Sequence, residues 1–267
     1  MIIVTGTKRS GTSMWMQILT AAGFPVIGDA FPRRFAKLEA MNPAGFYESR
    51  LRAGVYFATN PDPQTGVYLH PDDTREHALK VFIPGLIRTD RAFITQVIAT
   101  IRPWREYTRS MQRMEAQSAQ ARAAAGHPPR EKASAMPLPV EWWFEVYHLV
   151  RDLSVRRYPF HLVTYDRLLE QPAEEIAGVL GWLGSGDVEA ATAAVKPQLR
   201  TQKAPKVDTE GLLDAEAIAL FDRLYAQVHS ERVLETSLLG EMNALHARLP
   251  QTWKAAWARR VARGVTA

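Results

Sequence analysis

The chain of 267 residues contains no cysteine. This excludes a disulfide scaffold, a thiolate metal site and a cysteine nucleophile, and it agrees with a reducing, cytoplasmic setting. No apolar stretch approaches the ~20 residues of a membrane-spanning helix. The first residues also lack the basic segment, apolar run and small-residue cleavage site of a secretory signal. A soluble or at most peripheral protein is the expectation. The seven histidines show neither H-E-x-x-H nor an i, i+4 pair, so no metal is expected. His148 and His161 read as packing residues. Internal repeats and heptad runs are missing as well. No Pro/Gly-rich linker divides the chain, and one domain over residues 1–267 is expected.

Charge is present but nearly balanced, with 33 basic residues against 28 acidic ones and a net charge of +5. The excess favours anionic ligands, and its distribution says more than its sum. Arg102, Arg105, Arg109 and Arg113 recur at helical spacing after a strand-like run. Lys196, Arg200, Lys203 and Lys206 punctuate a stretch with no acid in it. Both are places for phosphate. Nucleic acid is the competing partner, and it is not expected, because no recognition-helix, zinc or aromatic RNA motif accompanies these charges.

The most informative segment is the first. A β-branched run (Ile2, Ile3, Val4, Thr5) meets a loop holding Gly6, Lys8, Arg9, Ser10 and Gly11, and a helical pattern with Met14, Ile18 and Leu19 runs to Gly23. A strand, a glycine-bearing loop and a helix start together aim backbone N–H groups and the positive end of a helix dipole at one spot. A nucleoside triphosphatase loop reads GxxxxGK[ST]. Here Gly6 and Gly11 keep that spacing, while Thr12 and Ser13 stand where Lys and Ser/Thr belong. The cations, Lys8 and Arg9, lie inside the loop. That arrangement suits a ligand neutralised by side chains rather than by magnesium.

Further along, Phe24-Pro-Val-Ile-Gly reads as a short strand. Asn42-Pro-Ala-Gly reads as a turn leading to a helix near Glu48. Residues 78–83 form an apolar run expected to be a central strand stopped by Pro84-Gly85. Val97–Ile101 is another strand, followed by Arg102, with Pro103 in the first turn of a helix. Residues 116–139, rich in Ala, Arg and Pro, read as a helix extension plus a mobile lid. An amphipathic helix over 140–157, a strand from Phe160 and a helix capped by Asp166 follow. Beyond about 187 the pattern is helical. Strands alternating with helices imply an α/β fold, a parallel sheet with helices on both faces. At the far end, Trp253, Trp257 and Val261 share a face of a basic segment over 250–263 that includes Lys254, Arg259, Arg260 and Arg263. Such a helix can lie on an anionic membrane surface or dock its aromatic stripe on the protein or on a second copy; docking is the commoner case.

The strand, the G-x-x-R-S-G-T loop and its helix resemble the 5′-phosphosulfate loop of sulfotransferases that use 3′-phosphoadenosine 5′-phosphosulfate (PAPS), in particular the bacterial branch. Asn42–Glu48, Ile101-Arg102-Pro-Trp-Arg-Glu with Ser110, Val163–Pro172 and Val195–Arg200 extend the resemblance over most of residues 1–206. It implies a P-loop-like α/β fold. It also implies that Lys8, Arg9, Ser10, Gly11, Thr12 and Ser13 hold the 5′-phosphosulfate, and that Arg102 and Ser110, with Arg200 among the further basic residues, hold the 3′-phosphate. The Tyr165-Asp166 block is similar to a family signature that is mainly structural.

Two departures stand out. Many cytosolic members carry a histidine base in K-x-H-x-P, whereas this chain reads Lys80-Val-Phe82-Ile-Pro84. The loop lysine of some branches is Arg9 here, with Lys8 beside it. The resemblance therefore implies sulfuryl transfer from PAPS to an acceptor hydroxyl, with adenosine 3′,5′-bisphosphate (PAP) released and Arg9 or Lys8 as the catalytic cation; with the histidine missing, Glu48, at the end of a turn expected near the loop, is the base we expect, with Asp29 and His70 in reserve. The alternative roles of Glu48 are a helix-start carboxylate or an ion-pair partner of Arg9 or Arg52. The alternative functions are a P-loop nucleotide kinase and a nucleotide-binding or adaptor protein without catalysis.

Overall fold

The structure, a computed structural model, describes residues 1–32, 45–128, 136–196, 206–209, 211–231 and 234–262. Asn42, Arg200, Lys203, Arg263 and residues 129–135 of the expected lid lie outside them. The chain divides into two compact units: residues 1–101 with 148–199, and 102–147 with 200–267.

The first unit is built on five parallel strands: β1 (Ile2–Gly6), β2 (Val26–Ile27), β3 (Ala78–Lys80), β4 (Gln96–Ile101) and β5 (Phe160–Thr164), in the order β2-β3-β1-β4-β5. Successive strand residues point to opposite faces, and all five residues of β1 are buried, so both faces of the sheet are covered, as an all-parallel sheet requires. On one face Ile2, Val4, Ile98 and Val163 pack with Trp15, Ile18 and Leu19 of α1 (Thr12–Ala21) and with Ile176 and Val179 further along the chain. From β1 the chain winds to the β2 edge, returns to β3, then crosses to β4 and β5. The winding thus reverses about β1, and ligands of open α/β sheets bind beyond the carboxyl ends of strands at such a place.

Several local expectations change. The run 78–83 is strand only to Lys80, because Pro84 opens α2 (Ile83–Arg88) instead of stopping a strand; a proline costs nothing in a helix's first turn. Glu48 does not start a helix. It forms an isolated antiparallel bridge with Asp29, and a short 3-10 turn follows at Arg50–Ala53, capped by the Ser49 hydroxyl. α3 spans Trp104–Ala124, covering the first part of the expected lid, and α4 spans Leu138–Arg156. The cap of α5 (Tyr165–Glu170) is Thr164, whose hydroxyl accepts from the Arg167 N–H, and Asp166 sits inside the first turn. α6 (Pro172–Leu183) and α7 (Val188–Ala193) complete this unit.

The second unit contains α3, the start of α4, α8 (Ala215–Glu231) and α9 (Thr236–Ala262). Its interior is aromatic. The Phe221 ring stacks on Trp143 with centroids 4.9 Å apart and meets Trp142 at 5.2 Å and Trp104 edge-on at 6.0 Å. Such pairs add ~0.5–1.5 kcal/mol each to the burial of their surfaces. Asp222 next to Phe221 accepts from Trp104 Nε1 at 2.7 Å and Arg105 at 2.5 Å. Asp214 ties α8 to α9: it accepts from the Ala217 N–H at 2.7 Å and pairs with Arg248 at 2.6 Å. α9 begins well before residue 250, since Leu238, Met242, Leu245, Leu249 and Trp253 form a buried stripe at helical spacing. Trp253 and Trp257 are 6% and 7% exposed, so the aromatic face is packed against protein. No helix among the described residues is long and apolar enough to cross a membrane.

Candidate anion-binding site

The loop after β1 owes its shape to its backbone. At Gly6 the chain passes so close to β4 that an added Cβ would stand 2.0 Å from the Thr100 carbonyl oxygen. A tight turn follows in which Ser10 donates both its N–H (3.2 Å) and its hydroxyl (2.6 Å) to the Thr7 carbonyl, while Thr100 Oγ1 donates to the Ser10 carbonyl at 2.9 Å. Arg9 and Gly11 are both left-handed, at φ 62° and 98°. Alternation of hand turns successive N–H groups toward one side, the geometry of an anion nest.

Gly11 leads into α1 without a side-chain cap, and the first intrahelical bond is the one from the Trp15 N–H to the Gly11 carbonyl, at 3.0 Å. The N–H groups of the first turn have no acceptor within the helix, and the dipole's positive end lies there. Two hydroxyls beside the turn, Thr5 Oγ1 and Thr7 Oγ1, are buried without a hydrogen-bond partner. Orphaned donors, a helix start and two loop cations form a donor set suited to phosphate or sulfonate oxygens.

The sequence reading placed Lys8, Arg9, Ser10, Gly11, Thr12 and Ser13 here, and the structure brings them together. Lys8 is exposed and Arg9 half-buried, while Ser10 is fully buried with both donors on Thr7. Ser10 therefore contributes the shape of the loop. Ser13 Oγ donates to the Phe46 carbonyl at 3.3 Å and accepts from Lys80 Nζ at 3.1 Å.

Lys80, read from the sequence only as the first residue of the Lys80-Val-Phe82-Ile-Pro84 segment, is a further cation at this site. It is the last residue of β3, in register with Val4 of β1, and only 4% exposed, so its ammonium comes out at the carboxyl edge beside the start of α1. Besides Ser13 it donates to the Phe46 carbonyl and pairs with Glu48 Oε1 at 2.9 Å. Burial pushes its pKa below the usual lysine value, and Glu48 opposes that shift. The parallel pairing of β3 with β1 brings it to the loop, since residue 80 lies far from the loop in the chain.

Both oxygens of Glu48 are engaged, Oε1 by Lys80 and Oε2 by Arg52 at 3.4 Å. Of the roles expected for Glu48 the geometry supplies the ion pair, with Lys80 added to Arg52. Its backbone is held on Asp29 through two N–H donations of 3.1 Å each. Phe82, at the position where a histidine base would stand, is 40% exposed and has the Arg52 guanidinium 5.6 Å from its ring centre. Asp29 and His70 are exposed, His70 lying edge-on to Tyr68 with centroids 4.8 Å apart.

In the second unit Arg102 and Ser110 are both buried. Arg102 turns Nε and one terminal nitrogen onto the same Glu106 oxygen, at 3.1 and 3.0 Å. Its carbonyl accepts from Trp142 Nε1 at 2.9 Å. The rest of the arginine row behaves differently: Arg105 is tied to Asp222, and Arg109 and Arg113 are exposed.

No family model matches the chain, and no curated protein matches it by sequence. Among solved structures, it is similar to retinol dehydratase in a complex with retinol and PAP. That likeness has 13% identity and a TM-score of 0.37, and spans 72% of this chain and 62% of that one. It is also similar to retinol dehydratase in complex with androsterone and the inactive cofactor PAP, at 11% identity and a TM-score of 0.39 over 88% of this chain and 82% of that one.

Proposed function

We propose that the protein is a PAPS-dependent sulfotransferase that moves a sulfuryl group to an acceptor hydroxyl by in-line transfer and releases PAP. The observation that carries this reading is the loop: left-handed Arg9 and Gly11 set before a helix start whose cations come from within the loop and from Lys80 rather than from a GK[ST] lysine. Such a site neutralises its anion with side chains, where a kinase would rely on magnesium. Arg9, or Lys8 beside it, faces the leaving phosphate oxygen in this reading, and the N–H groups of Gly11, Thr12 and Ser13 hold sulfuryl oxygens. Arg102, Ser110 and, by the resemblance, Arg200 take the 3′-phosphate. Glu48 accepts the acceptor's proton and must share a carboxylate oxygen with Lys80 or Arg52 to do so.

Titration with PAP tests the binding half. Thermal stabilisation should be the same with and without magnesium, because a ligand bound only by the folded state raises stability by mass action. Stabilisation seen only with ATP and magnesium would replace this reading with the kinase. Transfer is tested with labelled PAPS and fractionated cell extract as acceptor source, where Arg9→Ala should lower the rate constant more than the affinity. A binding-only protein is the second reading, supported by Phe82 and by the double pairing of Glu48. PAP binding with no label transferred to any fraction would establish it.

A further inference from the structure

The Arg102–Glu106 pair is more than a helix staple. Two nitrogens of one guanidinium converge on a single carboxylate oxygen, and both side chains are buried, at 6% and 3% exposure. Trp142 Nε1 holds the same residue from the backbone side. A guanidinium is planar, so fixing Nε and one terminal nitrogen fixes the direction of its remaining N–H groups. The long arginine side chain otherwise loses rotamer entropy when a ligand orders it. Here that ordering is complete before any ligand arrives.

Building on the proposed 3′-phosphate role of Arg102, we infer that Glu106 is a positioning residue that sets the preference for nucleotides carrying a 3′-phosphate. It holds Arg102 in the orientation that receives the phosphate. It also balances the buried cation when a nucleotide without that phosphate is bound. Selectivity then arises from a preset direction rather than from an unpaired charge, which would attract any anion.

The test is calorimetric titration of the full chain with PAP and with adenosine 5′-phosphate, comparing the unsubstituted protein with Glu106→Gln. Glutamine keeps the shape but cannot hold the guanidinium through one charged oxygen. PAP affinity should fall about tenfold, the scale on which partners orienting a ligating group act, while affinity for adenosine 5′-phosphate stays the same. Equal weakening of both, or PAP binding unchanged or tighter in E106Q, overturns the inference. Should E106Q fail to fold, Glu106→Asp keeps the charge and shortens its reach, and it must show the same selective loss; an unaltered ratio in it is equally fatal. If the unsubstituted protein binds PAP no better than adenosine 5′-phosphate, the transferase reading falls together with this one, whereas a failure confined to the variants removes the positioning role alone.

Discussion

The loop region of the first unit and the aromatic region of the second bury opposite things. Around the loop of the first unit the interior holds Lys80, Glu48, Ser10, Thr5, Thr7 and Thr100, while the interior of the second is lined by Trp104, Tyr107, Trp142, Trp143 and Phe221. Burying a charge or an orphaned hydroxyl opposes folding, and stacking aromatic rings favours it. The first arrangement makes sense as chemistry retained at a cost in stability, the second as stability itself. Exchanges in the two regions should separate activity from folding.

The largest effect is expected at Glu48. Glu48→Gln should lower transfer by about 10²–10⁴-fold. By stranding Lys80 it should also cost about 3 kcal/mol of stability. Adding Lys80→Met should recover most of that stability and none of the transfer, read by thermal melts beside label transfer. Transfer restored in the double variant would end the proton-acceptor role. In the second unit, Phe221→Ala removes the ring shared by three tryptophans and should cost about 3–5 kcal/mol. PAP affinity, measured at a temperature where the variant is folded, should not change. A variant as stable as the parent would show that the aromatic layer is not what holds this unit.

Gly6→Ala lies between the two cases, since the glycine is in the functional loop but its constraint is steric. A Cβ within 2.0 Å of the Thr100 carbonyl must push β1 from β4, at a cost of about 3 kcal/mol in chemical denaturation. Loss of PAP binding without loss of stability would contradict the close approach. The smallest change is Asp214→Ala, which removes a helix cap worth about 1 kcal/mol. The Arg248 hydrogen bond holds the Asp214 carboxyl below the usual carboxylate range. A lowered folded-state pKa means that the stabilisation is present above the unfolded value and disappears as pH falls through the folded one. The gap in melting temperature between parent and variant should therefore close on acidification, and a gap independent of pH would assign the effect to packing.

The same contrast explains what could be read from the chain alone. β1, its loop and α1 were legible because each depends on neighbours in sequence: β-branched residues, two glycines at fixed spacing and an apolar period. β4, expected over Val97–Ile101, and the start of β5 at Phe160 follow for the same reason. Pro84 was misjudged because proline both ends strands and starts helices, and only the backbone beyond it decides. Asp166 reads as the cap by its side-chain type, whereas Thr164, the last residue of β5, takes that place, because either side chain can accept the N–H. The place of Lys80 beside the loop needed strand pairing, and the ring around Phe221 joins residues far apart in the chain, as the Trp104 Nε1 bond to the adjacent Asp222, 118 positions away, also shows. No local pattern carries such distances.

One contact of Gly11 reaches beyond its own loop. A Cβ there would stand 3.0 Å from the ring of Tyr165, the first residue of α5, so the ring lies against the loop. The ring leaves no room for a side chain at residue 11, so glycine is required there by a neighbour that follows β5 as well as by its own left-handed backbone. A smaller residue at 165 would relax the steric half of that requirement and leave the other, the positive φ of Gly11, in place.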